Sequence, residues 1–300
     1  VGYAALRDNT TANDNTAVGY FALEANTTGT ANAALGMQSL RYSTTASNNS
    51  AFGYQALHNN ATASNNTAVG YQAGYSNTTG SFITFLGYRA GFSSTGSYQT
   101  GVGFEALNTA STGNFNTAVG YRASYLTSTG TDNTTIGHGV LYNTTTGSYN
   151  AAMGADTMRF NTTGAYNIAL GTNALYNNTT ASYNTAVGYQ AGYANTTGVN
   201  LAAHGYQSLY SNTTGDGSAA FGFRSLYTNT TGAYNAASGT EALYSNTTGS
   251  YNVAQGRHAL YSNTTASANV AVGYQAGFDN TTGSGITGVG YLALANNTTA

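Results

Sequence analysis

Apolar and polar residues follow one short pattern that returns along the whole chain. Large apolar or aromatic residues stand on both sides of a glycine, as Val187 and Tyr189 do around Gly188, and small residues lie next to them at period two. This alternation predicts short β-strands with one bulky face and one nearly bare face. A second apolar cluster, such as Ala22-Leu23, precedes a polar Asn-Thr-Thr corner. The Gly, Thr and Asn content disfavours helix throughout.

The glycine of this pattern recurs every 17 residues, with a single step of 16. It stands at Gly2, Gly19, Gly36, Gly53, Gly70, Gly87, Gly103, Gly120, Gly137, Gly154, Gly171, Gly188, Gly205, Gly222, Gly239, Gly256, Gly273 and Gly290. We number positions in each repeat from this glycine as zero. The one-residue deletion lies between Gly87 and Gly103, in the polar segment, where a loop can absorb it.

A repeat of 17 residues is too short for a helical pair or a propeller blade, and it fits one coil of a β-solenoid. We therefore predict an all-β fold, a β-solenoid (parallel β-roll) of about 18 coils with 17 residues per coil. Coils one strand spacing apart would make a rod on the order of 85 Å long. Residues 1–300 are predicted to form a single repeat domain. Because Val1-Gly2-Tyr3 looks like the middle of a repeat, we expect the sequence to be a window of a longer fibre.

Stacked coils would turn equivalent positions into ladders. Position +5 holds a run of aromatic residues, Tyr176, Tyr193, Tyr210, Tyr227, Tyr244 and Tyr261, and position +1 is mostly Tyr. Position −4 holds Asn15, Asn32, Asn116, Asn150, Asn167, Asn184, Asn235 and Asn252. We expect stacked rings in the first two columns and side-chain amides that satisfy one another in the third.

Composition narrows the classes of function. The chain has 7 basic and 9 acidic residues, a net charge of −2, and no Cys or Trp. Without cysteine there are no disulfide bonds and no thiolate metal site. Because basic residues do not outnumber acidic ones, the chain lacks the positive charge that binding to nucleic acid requires. No apolar run approaches the ~20 residues of a membrane span. We expect a core this narrow to need lateral pairing with other copies, so a homo-oligomer or fibre is the predicted partner state.

The sequence offers no catalytic or metal centre. The four histidines, His58, His138, His204 and His258, occupy different positions of the repeat, and the carboxylates are scattered along the chain. A catalytic site needs acids, bases or nucleophiles that converge. We therefore predict no enzyme activity and no cofactor.

The recurrent functional signal is Asn-x-Thr, the acceptor for N-linked glycan. It falls at position +7 in thirteen repeats, at Asn9, Asn26, Asn60, Asn77, Asn161, Asn178, Asn195, Asn212, Asn229, Asn246, Asn263, Asn280 and Asn297. Glycan at these positions would hydrate a nearly uncharged surface. The alternative stays open that duplication copied a residue chosen for the corner, because Asn suits a tight turn without any sugar.

The phrase Asn-Thr-Ala-Val-Gly-Tyr-Gln-Ala at 66–73 and 184–191 resembles the head repeats of trimeric autotransporter adhesins and related repeat stalks of phage tail fibres. The resemblance implies a left-handed parallel β-roll, with a trimer as the assembly. The repeat here is longer than is usual in those heads, and it adds the Asn-Thr-Thr corner and the tyrosines.

Together these features predict a structural, N-glycosylated fibre or filament located outside the cell or on a cell or virion surface. Two alternatives remain. One is an adhesin or tail-fibre shaft that binds a host surface. The other is an ice-binding β-solenoid, because adjacent threonines such as Thr196 and Thr197 could form flat hydroxyl rows.

Overall fold

The computed structural model describes residues 1–109 and 112–299. Its regular structure consists of β-strands, and no helix occurs in these residues. The predicted all-β solenoid is confirmed, with one three-residue strand per coil and parallel pairing between successive coils. The coils group into two units, Val1–Asn150 and Ala151–Ala300. The single repeat domain over 1–300 stays a prediction.

Eight strands belong to the first unit and nine to the second. The first unit contains β1 Thr16–Val18, β2 Ala33–Leu35, β3 Ser50–Phe52, β4 Thr67–Val69, β5 Thr84–Leu86, β6 Thr100–Val102, β7 Thr117–Val119 and β8 Thr134–Ile136. The second contains β9 Ala151–Met153, β10 Ile168–Leu170, β11 Thr185–Val187, β12 Ala202–His204, β13 Ala219–Phe221, β14 Ala236–Ser238, β15 Val253–Gln255, β16 Val270–Val272 and β17 Thr287–Val289.

Parallel pairing keeps equivalent positions of neighbouring coils in register. In the first unit Ala17 pairs with Ala34, and the register holds across the short repeat, where Thr84 pairs with Thr100. The deletion lies in the corner: Ser94 at position +7 is followed by Thr95 and then directly by Gly96, the equivalent of Gly80. The expectation that the polar segment absorbs the deletion is confirmed.

The bare face of each strand points inward and the bulky face outward. Ala186, in the middle of β11, is fully buried, and so are Ala191 and most side chains at position +4, such as Leu209 in the next coil. Residues at position −1, such as Leu35 and Phe52, lie on the outside. The coil is thin because its interior holds mainly small Ala side chains, the position +4 residues and buried asparagines, and the apolar bulk of the strand remains in contact with solvent.

The repeat glycine is required by its backbone. Gly188 has φ +134°, and a Cβ atom on it would lie 2.5 Å from the carbonyl oxygen of Gly205 in the next coil. Both the conformation and the close approach of the two main chains exclude larger residues. Positions +2, +4 and +12 are also left-handed, with φ values of 55° at Gln55, 50° at Leu57 and 62° at Asn65.

Candidate functional site

The position +7 asparagines form a buried hydrogen-bonded ladder. Asn195 Nδ2 donates to Asn178 Oδ1 at 3.0 Å and to the Gly198 carbonyl oxygen at 2.9 Å. Asn212 repeats both bonds with Asn195 and Gly215. In the second unit this ladder runs without a break from Asn161 to Asn297. Each amide therefore uses one hydrogen along the solenoid axis and the other across its own corner.

This ladder bears directly on the predicted glycans. Eleven of the thirteen sequon asparagines are fully buried: Asn26, Asn60, Asn77, Asn161, Asn178, Asn195, Asn212, Asn229, Asn246, Asn263 and Asn280. An N-glycosidic bond would replace one Nδ2 hydrogen and place a sugar in space that the coils fill. A glycan at these positions would have to displace the ladder and the packing around it. Whether any of them carries one stays a prediction. Asn9 and Asn297 are partly exposed.

A second asparagine ladder runs at position −4, as predicted. Asn49 Nδ2 donates to Asn32 Oδ1 at 3.1 Å, and the Asn49 main-chain N–H donates to the same oxygen at 3.0 Å. Asn133 makes the equivalent bonds to Asn116. Each such asparagine thus fixes the start of the next strand as well as the next side chain.

The +7 ladder is interrupted in the first unit. Ser43 replaces Asn between Asn26 and Asn60, and its side chain is too short to reach its neighbour. As a result Asn26 Oδ1 and Ser43 Oγ are both buried without a hydrogen-bond partner. Thr127 Oγ1, at the same position farther along this unit, is in the same state.

The predicted tyrosine stacks are confirmed. In the position +5 column Tyr210, Tyr227 and Tyr244 stack with centroids 5.1 to 5.2 Å apart, and the column continues in both directions. Burial raises the pKa of Tyr210 and of Tyr261 above the ordinary tyrosine value, so these phenols stay neutral. At position +1 the rings of Tyr54, Tyr71 and Tyr88 stack at 5.2 Å on an exposed edge.

Aromatic residues at position +12 form a third column, which the sequence reasoning missed. Tyr166 stacks on Tyr183 at 5.2 Å and Tyr234 stacks on Tyr251 at 5.4 Å, and all four are at least half exposed. In the sequence, this column is marked by a Tyr that lies two residues after the Gly or Ala of the corner and immediately before the position −4 Asn. Because aromatic residues alternate there with Asn, Asp and Gly, the column is less regular than the other two.

The outer residues of the strands form an apolar strip in the first unit. We call the outer strip the eight residues at position −1, which are Val18, Leu35, Phe52, Val69, Leu86, Val102, Val119 and Ile136. Five are exposed and the others are half-buried. At the strand spacing of ~4.8 Å they form a continuous strip roughly 34 Å long. In the second unit His204, Ser238 and Gln255 break the equivalent column. A shallow hollow lies at that point, with Phe221, Ser238 and Gln255 among its lining residues.

The paired threonines do not present two free hydroxyl rows. Thr196 Oγ1 donates to the Thr213 carbonyl oxygen at 3.0 Å, and Thr213 repeats this bond with Thr230. The second threonine of each pair, such as Thr197, is exposed. One hydroxyl row therefore faces solvent where the ice-binding hypothesis requires two.

Charged and titratable groups lie in small, separate clusters. Glu24 is buried between Arg7 and Arg41 at 2.6 and 2.7 Å, and Glu105 pairs with Arg122. Among residues 1–109 and 112–299 no group of three or more His, Asp or Glu could hold a metal ion. Within the same residues no helix is long and apolar enough to cross a bilayer.

The sequence matches no protein-family model and no curated protein. The resemblance to adhesin heads and tail-fibre stalks therefore stays an expectation from the motif.

Proposed function

We propose that this chain is the repeat region of a structural, non-catalytic fibre outside the cell or on a cell or virion surface. Within each unit neighbouring coils pair through main-chain bonds, and many of them also through asparagine amides and stacked rings. An added coil would repeat contacts already present, so stability accumulates with the number of repeats. Such an architecture suits a structural element whose function depends on its length.

The outer strip carries this proposal. A contiguous exposed apolar surface is uncommon on a monomer in water and is typical of interaction sites. Charged residues make up 5% of the chain and the net charge is −2, so there is little repulsion to keep copies apart. The occupant that fits is a second copy of the same chain, which brings an equally apolar and uncharged strip. The resemblance to adhesin heads favours three copies.

N-linked glycans are not part of this proposal, because the buried ladder uses the amide hydrogens that a glycan would replace. The second candidate function is the shaft of an adhesin or tail fibre that binds a host surface. The exposed tyrosines at position +12 favour it, since aromatic side chains are enriched at recognition surfaces.

The test is the association state of a variant with a polar outer strip. In Leu35→Gln/Phe52→Gln the fold should be kept, because Gln255 occupies the same position in β15. We expect the wild-type chain to sediment as an oligomer and the variant to dissociate at least tenfold more readily. Moderate NaCl should have little effect on either protein, and sulfate should strengthen the wild-type association.

The matched control is Tyr42→Gln, which removes an apolar side chain of similar exposure outside the outer strip. It should leave the association unchanged. A wild-type chain that is monomeric at all concentrations, or a Tyr42→Gln effect equal to that of the strip variant, would reject the proposal.

A further inference from the structure

Tyr234 and Tyr251 occupy a backbone conformation that does not suit them. Their φ values are 55° and 59°, in the left-handed region, and their side chains are 55% and 63% exposed. Left-handed residues other than glycine carry a conformational cost, which Asn and Asp bear best. Other coils place at this position residues that fit it better: Asp14, Asn48, Asn65, Asp132, Asn200, Gly217 and Gly285. The fold therefore does not require an aromatic ring here, and the exposed rings contribute little to the core.

These two tyrosines form an isolated, parallel pair. Their ring centroids are 5.4 Å apart with an angle of 12° between the planes. The neighbours in the column are Gly217 on one side and Ala268 on the other, so no third ring extends the stack. Both rings are accessible to solvent and face each other directly.

The composition leaves tyrosine as the target for one-electron oxidation. The chain has 26 Tyr, with no Trp and no Cys, so the residues that most readily compete for such an oxidant are absent. It also has no Lys, and therefore no side-chain amine for an amide cross-link. Phenol coupling is the covalent cross-link that this chain can make with its own side chains.

We propose that Tyr234 and Tyr251 are an oxidative cross-linking site that joins two neighbouring coils through dityrosine. The oxidant is hydrogen peroxide acting through a peroxidase-type one-electron catalyst. Each phenol loses one electron and its Oη proton to give a tyrosyl radical. The two radicals form a carbon–carbon bond between ring positions ortho to the oxygens, and the two ortho hydrogens move to the oxygens to restore the phenols. Overall two tyrosines lose two hydrogen atoms, and one peroxide is reduced to two waters.

The same two coils contain a pair that should not react. Tyr227 and Tyr244 stack at 5.2 Å with an angle of 5°, so the distance between the rings is as short as in the exposed pair. Tyr210 and Tyr261 stack on their outer faces, both at 5.1 Å, and the column is half-buried. Coupling requires the rings to leave the parallel arrangement so that two ortho carbons can bond. A ring held on both faces resists that movement.

The experiment treats the dilute full-length chain with a haem peroxidase and hydrogen peroxide, then denatures it and digests it with trypsin. Cleavage after Arg224 and Arg257 releases residues 225–257 as one peptide, which contains both pairs. Its mass shows whether two hydrogens have been lost. Two variants assign the loss: Tyr234→Phe/Tyr251→Phe and, as the matched control, Tyr227→Phe/Tyr244→Phe. Phenylalanine keeps the stacking, because Phe82 and Phe115 stack on Tyr98 at 5.1 and 4.9 Å in the same column.

We expect the two-hydrogen loss in this peptide from wild-type chains that carry no cross-link to a second chain and from Tyr227→Phe/Tyr244→Phe, with at least a tenfold decrease in Tyr234→Phe/Tyr251→Phe. Circular dichroism checks that each variant is folded. The proposal is overturned by equal coupling in both variants, by coupling that follows Tyr227 and Tyr244, or by coupling confined to cross-linked oligomers. A peptide that only gains oxygen would overturn it as well.

Discussion

The asparagine amide is the side chain that best explains how the coils hold together. It has two donors and one acceptor in one plane, and the +7 ladder uses all three in most coils of the second unit. Hydrogen bonds between buried groups contribute about 1 kcal/mol each, whereas a buried group without a partner costs about 1–3 kcal/mol. The breaks in the ladder are therefore the places where its contribution to stability can be tested best.

Ser43→Asn should repair the break in the first unit. Asn26 Oδ1 would gain the donor that it lacks, and the orphan Ser43 hydroxyl would be removed. Asn fits this position in the coils on both sides, at Asn26 and Asn60. We expect the free energy of unfolding to rise by about 1–2 kcal/mol, measured by denaturant titration. Ser43→Ala is the control. It also removes the orphan hydroxyl but leaves Asn26 without a donor, so its gain should be smaller than that of Ser43→Asn, and a destabilised Ser43→Asn would contradict the role given to the ladder.

His58 should make stability depend on pH. Its imidazole is buried against Tyr42 and Tyr75. Burial lowers its pKa, the hydrogen bond with Asn59 opposes this in part, and Arg41 lowers the pKa a little further. The folded chain therefore takes up this proton at lower pH than the unfolded chain, whose histidine titrates at about 6.5. The stability that neutral, buried His58 contributes is complete above about pH 6.5 and is lost as the pH falls below that value.

His58→Tyr tests this, since Tyr75 occupies the same position in the next coil. The melting temperature of the wild type should fall relative to that of the variant between about pH 7.5 and about pH 5. If the two proteins lose stability in parallel, His58 does not contribute to the acid response.

From the sequence we predicted the position −4 ladder, and at position +7 we predicted glycan and left open an asparagine chosen for the corner. Both columns have the same residue at the same spacing, and the second differs only in the Thr two residues later. That Thr satisfies the acceptor motif, whereas in the fold it is an exposed corner residue such as Thr197. An asparagine that forms a corner and one that accepts a glycan have the same sequence motif, so only the burial of the side chain distinguishes them.

At the scale of one coil, a large side chain occupies space that glycines around it leave free. Phe85 takes the position that is Ala in most strands and is fully buried. The residues that surround its ring are Gly74, Gly91 and Gly101: a Cβ atom on Gly101 would lie 3.0 Å from Phe85 Cδ1. A large residue is thus accommodated by glycines in its own coil and in the two adjoining coils. Packing in this solenoid is coupled along the axis.

Gly188→Val should break that coupling at the repeat glycine. The valine would need φ near +134° and its Cβ would overlap the Gly205 carbonyl oxygen. We expect a loss of about 3 kcal/mol or more in the free energy of unfolding, together with faster proteolysis.

Gly285→Ala is the matched control for this substitution. Gly285 is also left-handed, but no atom lies within 4 Å of its added Cβ, and Ala268 occupies the same position one coil earlier. A loss of about 1–2 kcal/mol in Gly285→Ala, from its left-handed backbone alone, beside a clearly larger loss in Gly188→Val is the expected pair of results. Equal stability of Gly188→Val and the wild type would contradict the close-approach argument.

At the scale of the molecule, the period of the repeat was enough to predict the coil, the position −4 ladder and two of the aromatic columns. It did not predict which face of the strand lies inside. Alternation separates Ala186 from Val187 but does not say which of them is buried, and the usual preference would bury the larger. The outcome is the reverse: Ala186 is fully buried and Val187 lies on the partly exposed outer face, so the narrow interior of the coil takes the small side chain. The apolar surface left outside is the basis of the proposed self-association.

The shortened repeat has a practical consequence. Thr84 and Thr100 stay paired although the corner between their coils is one residue short, so strand register does not depend on corner length. An exposed corner residue such as Thr197 is therefore the natural place to graft a foreign peptide. Grafts at several such corners would be displayed at intervals set by the spacing of the coils.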